Sequence, residues 1–354
     1  MEQLRRLVTP SSVDFRKAWV LLCNLGGPET IEEVRPFLET LFSDPGIIRI
    51  RSSWLRRLLA WGISTLRYRS SQKLYAQIGG GSPLRRLTEA QGDALAQALR
   101  SRGIEAEVAI AMRCWHPNLD EVVPKILATS PTTLVVLPLF PQDSFTTTRS
   151  VVERVEELLR DTPDLECRFI TSWHTHPKYI EAMVARIREG LDGLPPDETT
   201  TLLFSAHSIP LRYVREGDPY PQQIEASLRS IVARLEAEGI SLPHRLAYQS
   251  RLGPIPWLGP STEETIDALA QEGISSLLVV PLSFVSDHVE TLYEIDILYR
   301  QRAQRLGIEH FRCTKGLNTD ATFIECLVDL VSPYLQHHRK QRGTSPPEGG
   351  GKST

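Results

Sequence analysis

Residues 132–140, TTLVVLPLF, and residues 275–282, SSLLVVPL, decide the fold. Each is a near-continuous apolar run, the pattern of a strand covered on both faces of a parallel sheet. Working outward, similar runs stand at 18–25 (AWVLLCNL), 107–112 (EVAIAM), 166–170 (ECRFI), 199–206 (TTTLLFSA) and 245–249 (RLAYQ). Helical patterns fill the intervals near 30–42, 118–129, 146–160, 178–191, 220–238, 262–272 and 289–306. A longer helix is predicted over 83–102, with Pro83 in its first turn and Gly103 as its stop.

This β-α alternation predicts an α/β protein with parallel sheets. Seven or eight such units exceed one comfortable open sheet, so two doubly wound, Rossmann-like domains are expected, over 1–170 and 171–340. LVVLPLFPQDSF in the first half is echoed by LLVVPLSFVSDH in the second, which suggests a duplication. The tail over 341–354 is rich in Gly, Pro and Ser and reads as disordered.

The chain has 354 residues, with 40 Lys and Arg against 43 Asp and Glu and a formal net charge of −3. That balance argues against a protein that works by coating nucleic acid. No run approaches the roughly 18–20 apolar residues needed to cross a bilayer, and the first residues lack a signal-peptide core. The expectation is a cytoplasmic protein. Cys23, Cys114, Cys167, Cys313 and Cys326 are scattered and form no CxxC pair, which fits free thiols in a reducing compartment.

In open parallel sheets, ligands bind beyond the carboxyl ends of the strands. One such end reads FSAHSIP, residues 204–210, and places His207 where a strand stops. An imidazole there can accept a proton, hold a metal or cap the next segment. Another reads SDHVETLYEID, residues 286–296. Its acids suit a helix start. Glu290 and Glu294, however, are four apart on one face and repel unless solvated, protonated or bound to a cation. With His288 beside them, a proton relay or a path for a hard cation competes with plain capping. Gly79-Gly80-Gly81-Ser82-Pro83 lacks the Lys-Ser/Thr of a phosphate loop.

Residues 45–88 contain Arg49, Arg51, Arg56, Arg57, Arg67, Arg69, Lys73, Arg85 and Arg86 without one Asp or Glu. Trp54, Leu58, Trp61, Leu66 and Tyr75 are interleaved with them. A basic, aromatic-rich stretch suits an anionic apolar ligand or a membrane surface. The alternative is a solvated helix packed through its Leu/Trp face.

Together these motifs resemble the ferrochelatases, which insert ferrous iron into a porphyrin to make haem. The resemblance runs from about Val20 to about Leu335. It rests on LCNLGGPET, IGGGSPL, the arginine of MRCWHP, PLFPQDSFTTT, FSAHSIP, GDPY, YQSRLGPIPWLGP and SFVSDHVETLYEID, in the family's order. It implies the chelatase fold, and it implies site residues. His207 matches the active-site histidine and Glu290 its partner carboxylate, the pair associated with iron. His288 and Asp287 match a supporting network, and Glu294 matches an acid further along a channel that also serves the metal. Leu25, Tyr75, Arg113 and Trp257 match positions around the porphyrin. Arg67 matches a basic residue on a lip, here residues 45–82, that meets the propionates and a membrane periphery.

The implied substrates are protoporphyrin IX and ferrous iron, with no tightly bound cofactor. Some members carry a [2Fe–2S] cluster on cysteines near the C-terminus. Only Cys313 and Cys326 stand there, and Phe145 occupies the position of a further ligand, so no cluster is expected. Leu298 stands where some members have another channel acid, and Asp143 replaces an aromatic after the Pro-Gln pair. Competing readings are a chelatase for coproporphyrin or another tetrapyrrole, a porphyrin carrier without turnover, and a nucleotide-binding regulator.

Overall fold

The apolar runs form two four-stranded, wholly parallel sheets. A computed structural model describes residues 18–45, 48, 50, 52–195, 200–251 and 253–335. Arg49, Arg51 and the tail over 341–354 lie outside the described residues.

The first sheet comprises β1 (Ala18–Asn24), β2 (Glu107–Met112), β3 (Thr133–Pro138) and β4 (Glu166–Phe169), in the order β2-β1-β3-β4. The second comprises β5 (Thr200–His207), β6 (His244–Gln249), β7 (Ser276–Pro281) and β8 (His310–Cys313), in the order β6-β5-β7-β8. The order is the same in both. The sequence echo is also an echo of register, because Cys23 lies opposite Pro138 and Ser205 opposite Pro281. The next residues, Leu139 and Leu282, donate to the carbonyls of Cys23 and Ser205 at 2.8 and 2.9 Å.

The connecting helices of the first half are α1 (Val34–Ser43), α2 (Ser53–Gln77), α3 (Leu84–Ser101), α4 (Leu119–Leu127) and α5 (Thr148–Leu158). Then follow α6 (Pro177–Leu191), α7 (Leu211–Arg215), α8 (Tyr220–Ala237) and α9 (Thr262–Gln271). A π-helix over Glu290–Tyr299 runs into α10 (Arg300–Arg305), and α11 (Ala321–Leu335) ends the described chain. Two expectations change here. HFRC is an edge strand with one buried residue, Phe311, so no apolar run announced β8. Residues 289–306 do not form one regular helix, because a π-helix occupies the acidic stretch.

Apolar residues of both sheets meet in one buried cluster. Val20, Leu22, Val135 and Leu137 belong to the same packing unit as Leu202, Phe204, Leu278 and Val280. Phe323, Leu327 and Val331 of α11 complete it, and α11 packs on both α3 and α6. Burying each such side chain stabilises the fold by about 1.5–3 kcal/mol. With the sheets so joined, the carboxyl ends of the two central strand pairs open into one space.

A hairpin of α1 and α2 covers that space. The packed face of α2 carries Ala60, Ser64, Ser71 and Tyr75, all small except the last. Its Leu/Trp face is the open one, with Trp54 68%, Trp61 55% and Leu66 85% exposed. The hairpin's base is fixed where Ser82 N–H donates to the Pro28 carbonyl at 2.6 Å. A Cβ on Gly81 would fall 2.0 Å from the Glu29 carbonyl oxygen, so this contact requires glycine.

Candidate active site

A cavity of about 510 Å³ lies where the two sheets' strand ends face the α1–α2 hairpin. Leu25, Arg67, Tyr75, His207, Trp257, His288, Glu290 and Glu294, all singled out in the sequence, line it. Most of the remaining wall is apolar, including Phe37, Leu38, Leu41, Leu139, Ile209, Phe284 and Leu298. The size suits a single organic ligand largely removed from water.

His207 is the last residue of β5. Its N–H donates to Ser283 Oγ at 2.9 Å, and its carbonyl accepts from the Tyr220 hydroxyl at 3.0 Å. Its Nδ1 lies 2.6 Å from the Ser208 carbonyl oxygen. A carbonyl only accepts, so Nδ1 carries hydrogen and the neutral ring keeps its lone pair on Nε2. Among the described residues no hydrogen bond engages that nitrogen. Phe284 stands between the two histidines, 6.3 Å from the His207 ring and 4.3 Å from that of His288.

His288 is held at both nitrogens, Nδ1 by the Ser286 carbonyl at 3.0 Å and Nε2 by a Glu290 oxygen at 2.7 Å. Both neighbours are acceptors, so the ring fits as imidazolium. Burial opposes that charge, but Glu290, the Ser286 carbonyl and Asp287 outweigh it and raise the His288 pKa. Burial likewise disfavours a charged Glu290. The His288 cation and its hydrogen bond, with help from His207, overcome this and hold the carboxyl at about 2.

Glu294 moves the other way. Burial pushes it up, and the nearby Glu290 charge adds to this. Bonds from Ser250 N–H at 3.0 Å, Ser250 Oγ at 2.5 Å and the Tyr299 hydroxyl at 2.7 Å offset only part of the rise. The repulsion expected between these acids is thus resolved by making them unlike. Glu290 is a paired anion, and Glu294 a carboxyl that takes a proton readily. Such divergence lets one group keep its charge while the other exchanges a proton. Tyr75 stays a neutral phenol, pushed up by burial and then by the Glu290 charge.

One sequence expectation changes, and Asp287 stands behind the site. Arg113 does not line this cavity. It pairs with Asp44 at 2.9 Å and donates to Ser150 Oγ at 2.7 Å, beside Arg154 in a separate polar depression. Asp44, 4% exposed at the end of α1, holds the guanidinium at the turn between α1 and α2. Asp287 also lies outside the cavity, accepting from Gly316 N–H at 3.1 Å and Asn318 Nδ2 at 2.8 Å. Among the described residues no group of three or more His, Cys, Asp and Glu could hold a metal ion, so His207, Glu290 and Glu294 are not a closed ligand set. Sequence reasoning missed Phe284 and Ser250, whose roles arise from contacts across elements, and Tyr299, which meets Glu294 five residues back along the π-helix.

The ferrochelatase family model matches residues 17–335. A ferrochelatase of Thermosynechococcus vestitus is 51% identical over 320 residues, covering 89% of this chain and 82% of that protein. A ferrochelatase of Gloeobacter violaceus is 49% identical, covering 89% of this chain and 97% of that one. Among solved structures, SirB from Bacillus subtilis with Fe3+ has a TM-score of 0.53 at 12% identity, covering 92% of this chain and 98% of that one. At that identity the likeness concerns the fold.

Proposed function

This chain belongs to the ferrochelatase family, metal chelatases of haem biosynthesis, and on that premise we propose that it inserts ferrous iron into protoporphyrin IX through His207 and Glu290. One observation carries the assignment of roles. An imidazole with a free Nε2 lone pair and a carboxylate held ionised share one largely apolar cavity.

Insertion removes two N–H protons from the macrocycle and places a dication among four ring nitrogens. An imidazole with Nε2 unprotonated accepts a proton directly. The Glu290 carboxylate attracts the incoming cation, and Glu294, more basic and further along, receives protons. The ring itself supplies the final ligands, so the protein needs only transient donors, which fits an open set rather than a closed cage. Leu25, Tyr75, Phe284 and Trp257 would grip the ring, drawing its distortion from remote binding contacts. Two guanidiniums, those of Arg67 and Arg251, stand among the described lining residues. Two propionates match them better than the four of coproporphyrin.

We also read the chain as free of an iron–sulfur cluster. Cys313 lies on β8 and Cys326 on α11, and burial pushes both thiols up, Cys326 to about 12. The exposed Trp54, Trp61 and Leu66 of α2, with the exposed cation Arg57, suit contact with an anionic membrane surface. No helix among the described residues is long and apolar enough to cross a membrane.

The test is anaerobic incubation of wild type and His207→Ala with ferrous iron, or zinc as surrogate, and either protoporphyrin IX or coproporphyrin. Absorbance reads both metal insertion and any cluster chromophore. Faster insertion into protoporphyrin, lost in the variant, supports the reading. Preference for coproporphyrin overturns the ring assignment, and full activity of His207→Ala overturns its role.

A further inference from the structure

The loop carrying His288 is held from behind by groups that do not reach the cavity. Gln91 is a fully buried residue of α3, in the first half of the chain. Its Nε2 donates to Ser286 Oγ and to the Asn318 carbonyl, both at 2.9 Å. Asn318 grips the same loop on three sides. Its N–H donates to the Val285 carbonyl at 2.8 Å, its side-chain oxygen accepts from Asp287 N–H at 3.1 Å, and its Nδ2 donates to the Asp287 carboxylate at 2.8 Å. Asn318 does this with φ at 46°, a left-handed conformation that asparagine tolerates better than most residues. The Ser286 carbonyl is in turn the acceptor for His288 Nδ1.

We propose that Gln91 and Asn318 are positioning residues for metal insertion, a clamp across the two halves that sets His288 against Glu290. The clamp fixes residues 285–288 so that one His288 nitrogen meets the Ser286 carbonyl and the other meets the Glu290 carboxylate. Stability alone does not account for Gln91. Its Oε1 is buried without a partner, a cost that an apolar residue of similar size would avoid. Gln91 and Asn318 do not line the cavity, so porphyrin binding is not their task.

The inference rests on the roles given above to His288 and Glu290, and its test includes a readout independent of them. Gln91→Leu in the full chain removes the orphaned oxygen but also the donor to Ser286 Oγ and the Asn318 carbonyl, and is expected to fold and melt near the wild-type temperature, as read by circular dichroism. Its kcat for zinc insertion falls about 10- to 100-fold, the usual scale for residues supporting a reactive group. KM for porphyrin stays nearly constant. The His288 Nδ1–H resonance, read by NMR with 15N-labelled histidine, shifts. Asn318→Gly keeps the left-handed backbone and its N–H bond to Val285 while deleting the two side-chain bonds to Asp287, and it lowers kcat in the same direction. Adding Ser286→Ala to Gln91→Leu costs less than it does in wild type, because the contact is already gone. A kcat for Gln91→Leu within about twofold of wild type, or an unmoved His288 resonance, overturns the proposal.

Discussion

Replacing His288 by alanine tests the electrostatics of the site. In the wild type, burial pushes Glu290 toward protonation, and the His288 cation 2.7 Å away reverses this and holds the carboxyl at about 2. The Glu290 side chain is 23% exposed, so solvent screens the pair only in part. Relative to the ordinary carboxyl value of 4.5, the charged form is favoured by roughly 3 kcal/mol, at about 1.4 kcal/mol per tenfold change in acidity. That lies at the lower end of the roughly 3–5 kcal/mol lost when one partner of a buried pair is removed. Alanine removes the cation and leaves the burial. Glu290 then titrates well above its wild-type value of about 2, with only His207 and a backbone hydrogen bond left to oppose burial. An acid whose pKa rises becomes protonated at higher pH, so turnover that needs the carboxylate is lost earlier on the acid side. Stability follows the same sign. The depressed pKa stabilises the wild type fully above 4.5, and this contribution is lost as pH falls toward 2. The assay is the initial rate of zinc insertion across about pH 5–9, with folding followed by circular dichroism. The ratio of variant to wild-type rate should fall toward acid pH. Glu290→Gln, with nothing left to titrate there, should be slow without that added limb. A folded His288→Ala whose profile parallels the wild type would refute the reasoning.

Other predictions concern the periphery. Arg113→Leu removes one of the partners of Asp44, which is 4% exposed, and should cost more than about 1 kcal/mol in chemical denaturation while KM for porphyrin holds. A loss below about 1 kcal/mol would mean that the pair is effectively solvated. Trp54→Ser with Trp61→Ser should weaken sedimentation with anionic vesicles, and Arg57→Glu should remove about 1 kcal/mol more at low salt. Equal sedimentation of all forms would dismiss α2 as a membrane surface. Arg67→Ala should raise KM for porphyrin more at low ionic strength than at high, and a salt-independent effect would contradict an electrostatic role.

The inner strands were legible because sheets covered on both faces demand continuous apolar runs, which β1, β3, β5 and β7 supply; the edge strand β4 was read from its place in the alternation. The eighth, β8, sits at an edge where such burial is not required, and HFRC carries no such signal. Residues 290–299 carry no signature that separates a π-helix from an α-helix, since either keeps Glu290 and Glu294 near one side. The open Leu/Trp face of α2 was visible as composition. Which face packs was not, because that depends on where α1 and the strand ends stand.

Within the site, reactive groups were legible and their supports were not. His207 ends strand β5, and Glu290 opens the π-helix that follows β7, at the carboxyl ends of the strands where the fold places ligands, so position and residue type agreed. Arg113 also lies just beyond a strand, but buried Asp44 takes its charge away from the cavity, and nothing local announces that pairing. The clamp is harder still, since Gln91 meets Ser286 and Asn318 across separations of 195 and 227 residues. A faint signal existed. Gln91 interrupts the buried stripe of Leu84, Leu95 and Leu99 on α3, and a buried polar side chain must find a partner. The sequence therefore exposes the groups that line the cavity more readily than those that decide how they behave. Glu290 and Glu294 are the same residue type four positions apart. One carboxylate faces an imidazolium held by Ser286 from a loop that Gln91 and Asn318 grip, while the other faces a serine and a tyrosine, and that difference in neighbours holds one as an anion and raises the other's affinity for a proton.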